Sequence, residues 1–319
     1  MRLMFLGSPG PVVAPLQALI ADAQALGHEV VGVVSQPARP AGRGRVPQDP
    51  AVAAYAKSQG IPTLQPEKAN SPEFLAAFAA LRPDIAITAA YGQILSDEFL
   101  RIPRRATINI HPSLLPKYRG ATPVPAALLA GEEVTGITIL FTVKKLDAGA
   151  IIVQRRLPIN PDETAGVLTT RSFAASGALL LEALRLLEDP AFGGTPQDEA
   201  AVTHCRKIDK QDGAIDWQQS SVEIYNAFRA YDPWPGAFTY LNSKRISLIE
   251  MKLDEDAMSG LTAGQAQYDK RLRCLRIGAG SGTLQLFKLK AAGAKEVTAE
   301  AFWNGLKDRS SVVFQGADI

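Results

Sequence analysis

Asn109 and His111 stand two residues apart in Asn109-Ile110-His111-Pro112-Ser113-Leu114-Leu115-Pro116, and a carboxylate, Asp147, follows in Leu146-Asp147-Ala148-Gly149. In an extended segment that spacing puts the amide and the imidazole on one face. A carboxylate brought alongside could orient the imidazole. Amide, imidazole and carboxylate together suit a reaction that passes through a negatively charged tetrahedral intermediate. The chain has only 3 histidines, so His111 has few competitors.

The elements that must position this set read as alternating strands and helices. Apolar strand-like runs cover 3–6, 29–35, 85–90 and 106–110. Helical stretches cover 12–26, 51–59 and 72–81, the last with Ser71 as N-cap and Pro72 at its first position. Residues 36–50 read as a loop. This alternation predicts an α/β, Rossmann-like, mostly parallel sheet with helices on both faces. Ligands of such sheets bind outside the carboxyl ends of the strands. His111 falls at one such end and Tyr91-Gly92 at another, so both should face one crevice. Further strands are expected at 136–143 and 151–157, and a long helix at 164–187. After residue 198 the texture changes to a short helix at 222–230 and short strands at 238–241, 246–251, 274–277 and 284–289. These fit a small C-terminal β-barrel, OB-like in type. The expected division is a catalytic domain over 1–189, a linker over 190–208 and the barrel domain over 209–319.

Composition narrows the partners. Lys plus Arg is 34 and Asp plus Glu 32, a net charge of +2. Residues 1–208 carry 20 basic and 18 acidic side chains, so neither half is strongly charged. Any nucleic-acid contact must therefore come from local patches. One such patch is the loop Gln36-Pro37-Ala38-Arg39-Pro40-Ala41-Gly42-Arg43-Gly44-Arg45, where Arg39, Arg43 and Arg45 are spaced by Pro and Gly. Another is Lys270-Arg271-Leu272-Arg273-Cys274-Leu275-Arg276, where alternation in a strand would send Arg271 and Arg273 to one face. The 2 cysteines, Cys205 and Cys274, lack metal-ligand spacing and read as reduced thiols. No metal is expected. No apolar run reads as a signal peptide or membrane span, so a soluble, cytoplasmic protein is expected. A monomer is the expected state.

The Asn-Ile-His-Pro-Ser-Leu-Leu-Pro run with the later Leu-Asp-Ala-Gly resembles the signature of the folate-dependent formyltransferases. The resemblance implies 10-formyltetrahydrofolate as donor and direct attack of an amine on its formyl carbon. It puts the oxyanion on Asn109 and His111, and makes Asp147 the residue that holds His111 and assists proton transfer. Ala90-Tyr91-Gly92-Gln93-Ile94-Leu95 is similar to the family's folate-pocket stretch. Tyr91, Gly92, Gln93, Ile94 and Leu95, with Ser113, Leu114, Leu115 and Pro116, would then shape that pocket. The arginine loop resembles the one with which the tRNA-acting branch approaches the acceptor end of initiator methionyl-tRNA. It makes Arg39, Arg43 and Arg45, with Lys270, Arg271 and Arg273, candidate tRNA contacts. Competing readings are a formyltransferase for a sugar amine or other small amine, and an inactive folate- or RNA-binding relative. Two departures stand out. Lys144-Lys145 precede Asp147, where an acidic residue or glycine is usual. The first turn reads Gly7-Ser8-Pro9-Gly10-Pro11, where the family tends to have Gly-Thr-Pro-x-Phe-Ala; it also has no GxGxxG, which argues against dinucleotide binding.

Overall fold

A computed structural model describes the chain except residues 24, 42–44, 255–259 and 317–319. The chain divides into two compact units. The first comprises 1–123, 134–159 and 168–206, and the second 124–133, 160–167 and 207–319.

The first unit is built on β1 (Arg2–Gly7), β2 (Glu29–Val34), β5 (Thr63–Leu64), β6 (Ile85–Ala89), β7 (Ala106–His111), β9 (Val134–Phe141) and β10 (Ile151–Pro158). Their order in the sheet is β10-β9-β7-β6-β1-β2-β5. Neighbours from β7 to β5 are parallel, whereas β9 is antiparallel to both β7 and β10. The parallel strands read as near-continuous apolar runs because both faces are covered. Leu3 and Phe5 of β1, with Ile108 and Ile110 of β7, pack with Leu16 and Leu19 of α1 (Val13–Ala23), Val52 of α2 (Ala51–Ser58) and Phe173, Leu180 and Leu184 of α6 (Ala165–Leu186). Met4 and Leu6 of β1 turn to the other face and meet Phe74, Leu75 and Phe78 of α3 (Pro72–Ala80) and Phe99 of α4 (Asp97–Leu100). Period-two alternation in one strand thus serves two helical layers. The Ser71 hydroxyl accepts from Phe74 N, so the expected cap of α3 is present. Length and apolar composition would let α6 cross a membrane, contrary to the sequence reading, but its apolar side is spent on this core.

Three local readings change. The loop at 36–50 contains a hairpin, β3 (Arg39–Ala41) with β4 (Val46–Gln48). Pro40 faces Pro47 at its middle pair. Antiparallel pairs alternate between bonded and non-bonded, so a proline pair need not cost a ladder bond. Helix α5 (Pro123–Leu129) was hidden by its two prolines, Pro123 and Pro125. Both lie in the first turn, where N–H groups have no intrahelical acceptor. Residues 190–206, expected within a linker, belong to the first unit. There β11 (His204–Cys205) pairs in parallel with β8 (Arg119–Gly120).

The second unit carries β12 (Phe238–Leu241), β13 (Lys244–Leu253), β14 (Gln265–Asp269), β15 (Cys274–Gly278), β16 (Thr283–Ala291), β17 (Val297–Thr298) and β18 (Val312–Val313). They form an antiparallel sheet, β12-β13-β16-β15-β14-β18, with β17 against β16. Reciprocal bonds between Tyr240 and Gln315 join the first strand to the chain just past the last, so the sheet curls into a nearly closed barrel. Trp217, Leu248, Met251, Leu275, Ile277, Leu284, Leu286, Leu289 and Phe314 fill it. Helix α7 (Ser221–Ala230) is set by a Ser220/Glu223 capping box, and α8 (Ala299–Asn304) by the Thr298 hydroxyl.

The basic cluster at 270–273 is not in a strand. It forms the turn between β14 and β15. The Asp269 carboxylate accepts from the N–H groups of Arg271 and Leu272, which closes the turn, and Arg273 takes φ +56°. Alternation therefore does not apply to Arg271 and Arg273, and a short Asp-led turn overrides the strand pattern.

Candidate active site

Strand β7 carries Ile108 and Ile110 into the core and leaves Asn109 and His111 on the opposite face. His111 is its last residue and pairs with Thr138 of β9. The imidazole is 4% exposed. Its Nε2 lies 2.9 Å from the carbonyl of Tyr118. A carbonyl can only accept, so Nε2 carries the hydrogen and Nδ1 is the ring atom left for chemistry. Nδ1 lies 3.7 Å from Oδ2 of Asp147, whose side chain is 8% exposed. That distance is too long for a direct hydrogen bond. Burial lowers the His111 pKa below 6.5, opposed by the Asp147 charge and the Tyr118 carbonyl.

The carboxylate of Asp147 gathers donors. It accepts from Asn109 Nδ2 at 3.4 Å and from Gly120 N at 2.9 Å. Asn109 is oriented from behind, since the Thr88 hydroxyl lies 2.8 Å from its Oδ1. With Oδ1 engaged, the amide hydrogens point toward Asp147. Asp147 itself has φ +50°, a left-handed conformation that non-glycine residues adopt only when the surroundings hold them there. Gly149 is required two residues on, because a Cβ there would lie 1.8 Å from the Phe141 carbonyl oxygen.

Lys144 and Lys145 do not face this carboxylate. Lys144 reaches Asp97 at 3.3 Å and Lys145 reaches Glu199 at 2.8 Å, and both are well exposed. Their side chains tie the loop before Asp147 to its neighbours. Glu199 also pairs with Arg119 at 2.7 Å, and these two cations, Arg119 foremost, draw its pKa down to about 2.

The other expected pocket residues divide. Beyond β6, the Tyr91 carbonyl accepts from Gln36 Nε2, while Ser8 Oγ accepts from Gln36 N. The ends of β1, β2 and β6 are thereby joined where the strand order reverses, which is where α/β sheets place ligands. Tyr91 is buried, and burial pushes its phenol up to about 12. Gly92 takes φ +86° and is exposed. Gln93 accepts from Ala69 N and braces the 66–69 turn, while Leu95 packs on the α3 face. Ile94 is 86% exposed, an apolar side chain left outside the core. Ser113 and Leu115 are buried and serve as scaffold. The Ser113 hydroxyl donates to the Lys117 carbonyl, and Leu115 N donates to Thr138 Oγ1. Leu114 and Pro116 are half-buried.

Among the expected tRNA contacts, Arg39 is exposed and pairs with Glu67, Arg45 is exposed at φ +49°, and Arg43 lies outside the described residues. Lys270 and Arg271 are exposed, and Arg273 is exposed and paired with Glu300. No group of three or more His, Cys, Asp or Glu fit to hold a metal ion occurs among the described residues.

The profile of the formyl transferase family matches residues 1–184, and that of the formyl transferase C-terminal domain matches 207–307. The chain is 40% identical over 307 residues to the methionyl-tRNA formyltransferase of Roseiflexus castenholzii, covering 96% of each. It is 40% identical over 310 residues to that of Anaeromyxobacter sp. strain K, covering 96% of this chain and 97% of the relative. The chain belongs to the methionyl-tRNA formyltransferase family. The fold of these formyltransferases recurs in WlaRD, a sugar 3N-formyl transferase, at TM-score 0.67 and 16% identity over 92% of this chain and 99% of that one. It recurs also in HypX of Aquifex aeolicus, solved with tetrahydrofolic acid, at TM-score 0.62 and 18% identity over 99% of this chain. This chain spans about half of HypX, 51% of its length.

The residues around the motif that sequence reasoning did not single out are Thr88, Tyr118, Arg119, Gly120 and Gln197. Tyr118 and Gly120 act through backbone groups, which leave no trace in side-chain type. Thr88 was visible only as a polar residue in a buried strand.

Proposed function

We propose that this formyltransferase moves a formyl group from 10-formyltetrahydrofolate to the α-amine of methionine on initiator methionyl-tRNA, in the cytoplasm. The observation that carries the reading is the convergence of the Asn109 amide, the His111 Nδ1 edge and the Asp147 carboxylate at the carboxyl end of β7, in a chain 40% identical to named methionyl-tRNA formyltransferases. The folate donor is supported by the tetrahydrofolic acid in HypX and the 5-N-formyl-THF in WlaRD.

In the reaction, the amine attacks the formyl carbon and the carbonyl oxygen takes up negative charge. Asn109 Nδ2–H supplies a donor for that oxygen, and His111 supplies a second as Nδ1 takes up a proton, which burial opposes and the Asp147 charge favours. These donors are held before the reaction begins, so little reorganisation is needed as charge develops. Asp147 offsets part of the cost that burial imposes on protonating His111, and accepts the proton that the attacking nitrogen sheds. Collapse breaks the bond to the folate nitrogen, which takes a proton and leaves as tetrahydrofolate. The stretch from Tyr91 to Leu95, with Leu114 and Pro116, lines the folate side. Arg39, Arg43, Arg45, Lys270, Arg271 and Arg273 receive tRNA phosphates. The intramolecular pairs of Arg39 and Arg273 are exposed to water, contribute little, and yield readily to phosphate.

Replacing His111 with Ala tests the mechanism. Loss of an oxyanion donor lowers kcat roughly 100- to 1,000-fold. Formyl transfer within about tenfold of the parent, roughly 1.4 kcal/mol of barrier, would remove His111 from the role.

A further inference from the structure

The loop bearing Asp147 is held by a side chain fifty residues away. Gln197 Nε2 donates to the carbonyls of both Asp147 and Gly149, each at 2.8 Å. Its Oε1 accepts from Nε and Nη2 of Arg119, at 3.0 and 2.9 Å. The partners on the two sides leave the amide a single orientation. A guanidinium only donates, so Oε1 must face it, and two carbonyls only accept, so Nε2 must face them. Arg119 is fully buried, and its Nη2 also reaches Glu199 at 2.7 Å. The same stretch of chain pins the segment on the other side of the carboxylate. Thr203 Oγ1 accepts from Tyr118 N, the Thr203 carbonyl accepts from Arg119 N, and β11 pairs with β8. Tyr118 supplies the carbonyl on His111, and Gly120 the N–H on Asp147.

From this geometry we infer that Gln197, with its amide fixed by Arg119, is a positioning residue for Asp147. It holds the backbone of 147–149 while Asp147 occupies its left-handed conformation, and so aims the carboxylate at His111 and Asn109. The inference rests on the proposed role of Asp147. A carboxylate that assists proton transfer must be placed to a fraction of an ångström, and small misplacements cost rate more than affinity. The side chain of Gln197 touches backbone only on the Asp147 side, so its removal leaves every proposed substrate-contacting side chain in place.

The test compares Gln197→Ala, Asp147→Asn and the double variant in the full chain, with 10-formyltetrahydrofolate and methionyl initiator tRNA. Gln197→Ala is expected to lower kcat by ~10- to 100-fold, with both KM values within about threefold of the parent. Arg119→Lys, which can no longer hold Oε1 from two nitrogens, is expected to lower kcat in the same direction. In the Asp147→Asn background, Gln197→Ala is expected to cost less than about twofold more, because the group it positions is already lost. A Gln197→Ala enzyme with parental kcat beside an inactive Asp147→Asn would overturn the positioning role and leave that of Asp147 standing. An undiminished loss in the double variant would mark Gln197 as general scaffold and overturn it equally. Parental activity in Asp147→Asn would overturn the role of Asp147 and the inference with it. Should Gln197→Ala not fold, Gln197→Met fills the same space without the amide and carries the same expectations.

Discussion

At the scale of single residues, the imidazole edge is settled by its partners. The Tyr118 carbonyl claims the hydrogen on Nε2, which leaves Nδ1 as the edge toward Asp147. Sequence spacing placed Asn109 and His111 on one face of a strand, and they are there. The same spacing could not say which ring nitrogen is free, because that depends on a carbonyl seven residues on. Nor could it place the two lysines before Asp147, whose partners Asp97 and Glu199 are remote in sequence. Burial also lowers the pKa of His28, with the nearby N-terminal charge adding to it. Both His28 and His111 therefore hold fewer protons folded than unfolded just below pH 6.5. Stability from these groups is complete above 6.5 and is lost as pH falls through the window beneath it, where the unfolded chain binds more protons. Urea midpoints should accordingly drop between about pH 7.5 and pH 5.5. His28→Gln should show a smaller drop, and an identical one would mean that His28 does not contribute.

At the scale of elements, the proposed catalytic set depends on turns as well as on strands. Asp147 at φ +50° and Gly149 against Phe141 are in connections, and Gly120 at φ +130° ends the two-residue β8. Gly149→Ala forces a Cβ into a backbone oxygen, which should cost roughly 1–3 kcal/mol of stability and displace Asp147 as well. Thermal unfolding together with kcat would check this, and unchanged values for both would contradict the packing. At α3 the Ser71 hydroxyl is the N-cap, and Ser71→Ala should cost about 1 kcal/mol in urea unfolding with no change in kcat. The strands and helices of the first unit were legible because apolar runs and caps are local signals. Helix α5 was not, because its prolines occupy the one turn where they do no harm. The turn at 270–273 was misread as strand because the Asp269 side chain, not the alternation, fixes it.

At the scale of the molecule, two units with near-balanced charge must recognise a polyanion through patches. Phosphate contacts release counterions, so the KM for tRNA should rise steeply with salt while that for the folate donor stays nearly flat. Arg271→Ala should reduce the slope of log KM for tRNA against log salt by roughly 0.7–0.9 if it makes one phosphate contact. An unchanged slope would take Arg271 off the tRNA path. Membership of the formyltransferases rests on the family profiles that match residues 1–184 and 207–307. The choice of acceptor rests on the arginine loop, the barrel-like second unit and likeness along the whole chain to methionyl-tRNA formyltransferases. The most direct measurement is therefore an acceptor competition. The full chain, supplied with 10-formyltetrahydrofolate, is offered methionyl initiator tRNA together with an excess of a nucleotide-linked amino sugar. Formyl label on the methionine of the tRNA, with none on the sugar, is the predicted result. Label on the sugar with none on the tRNA would contradict it.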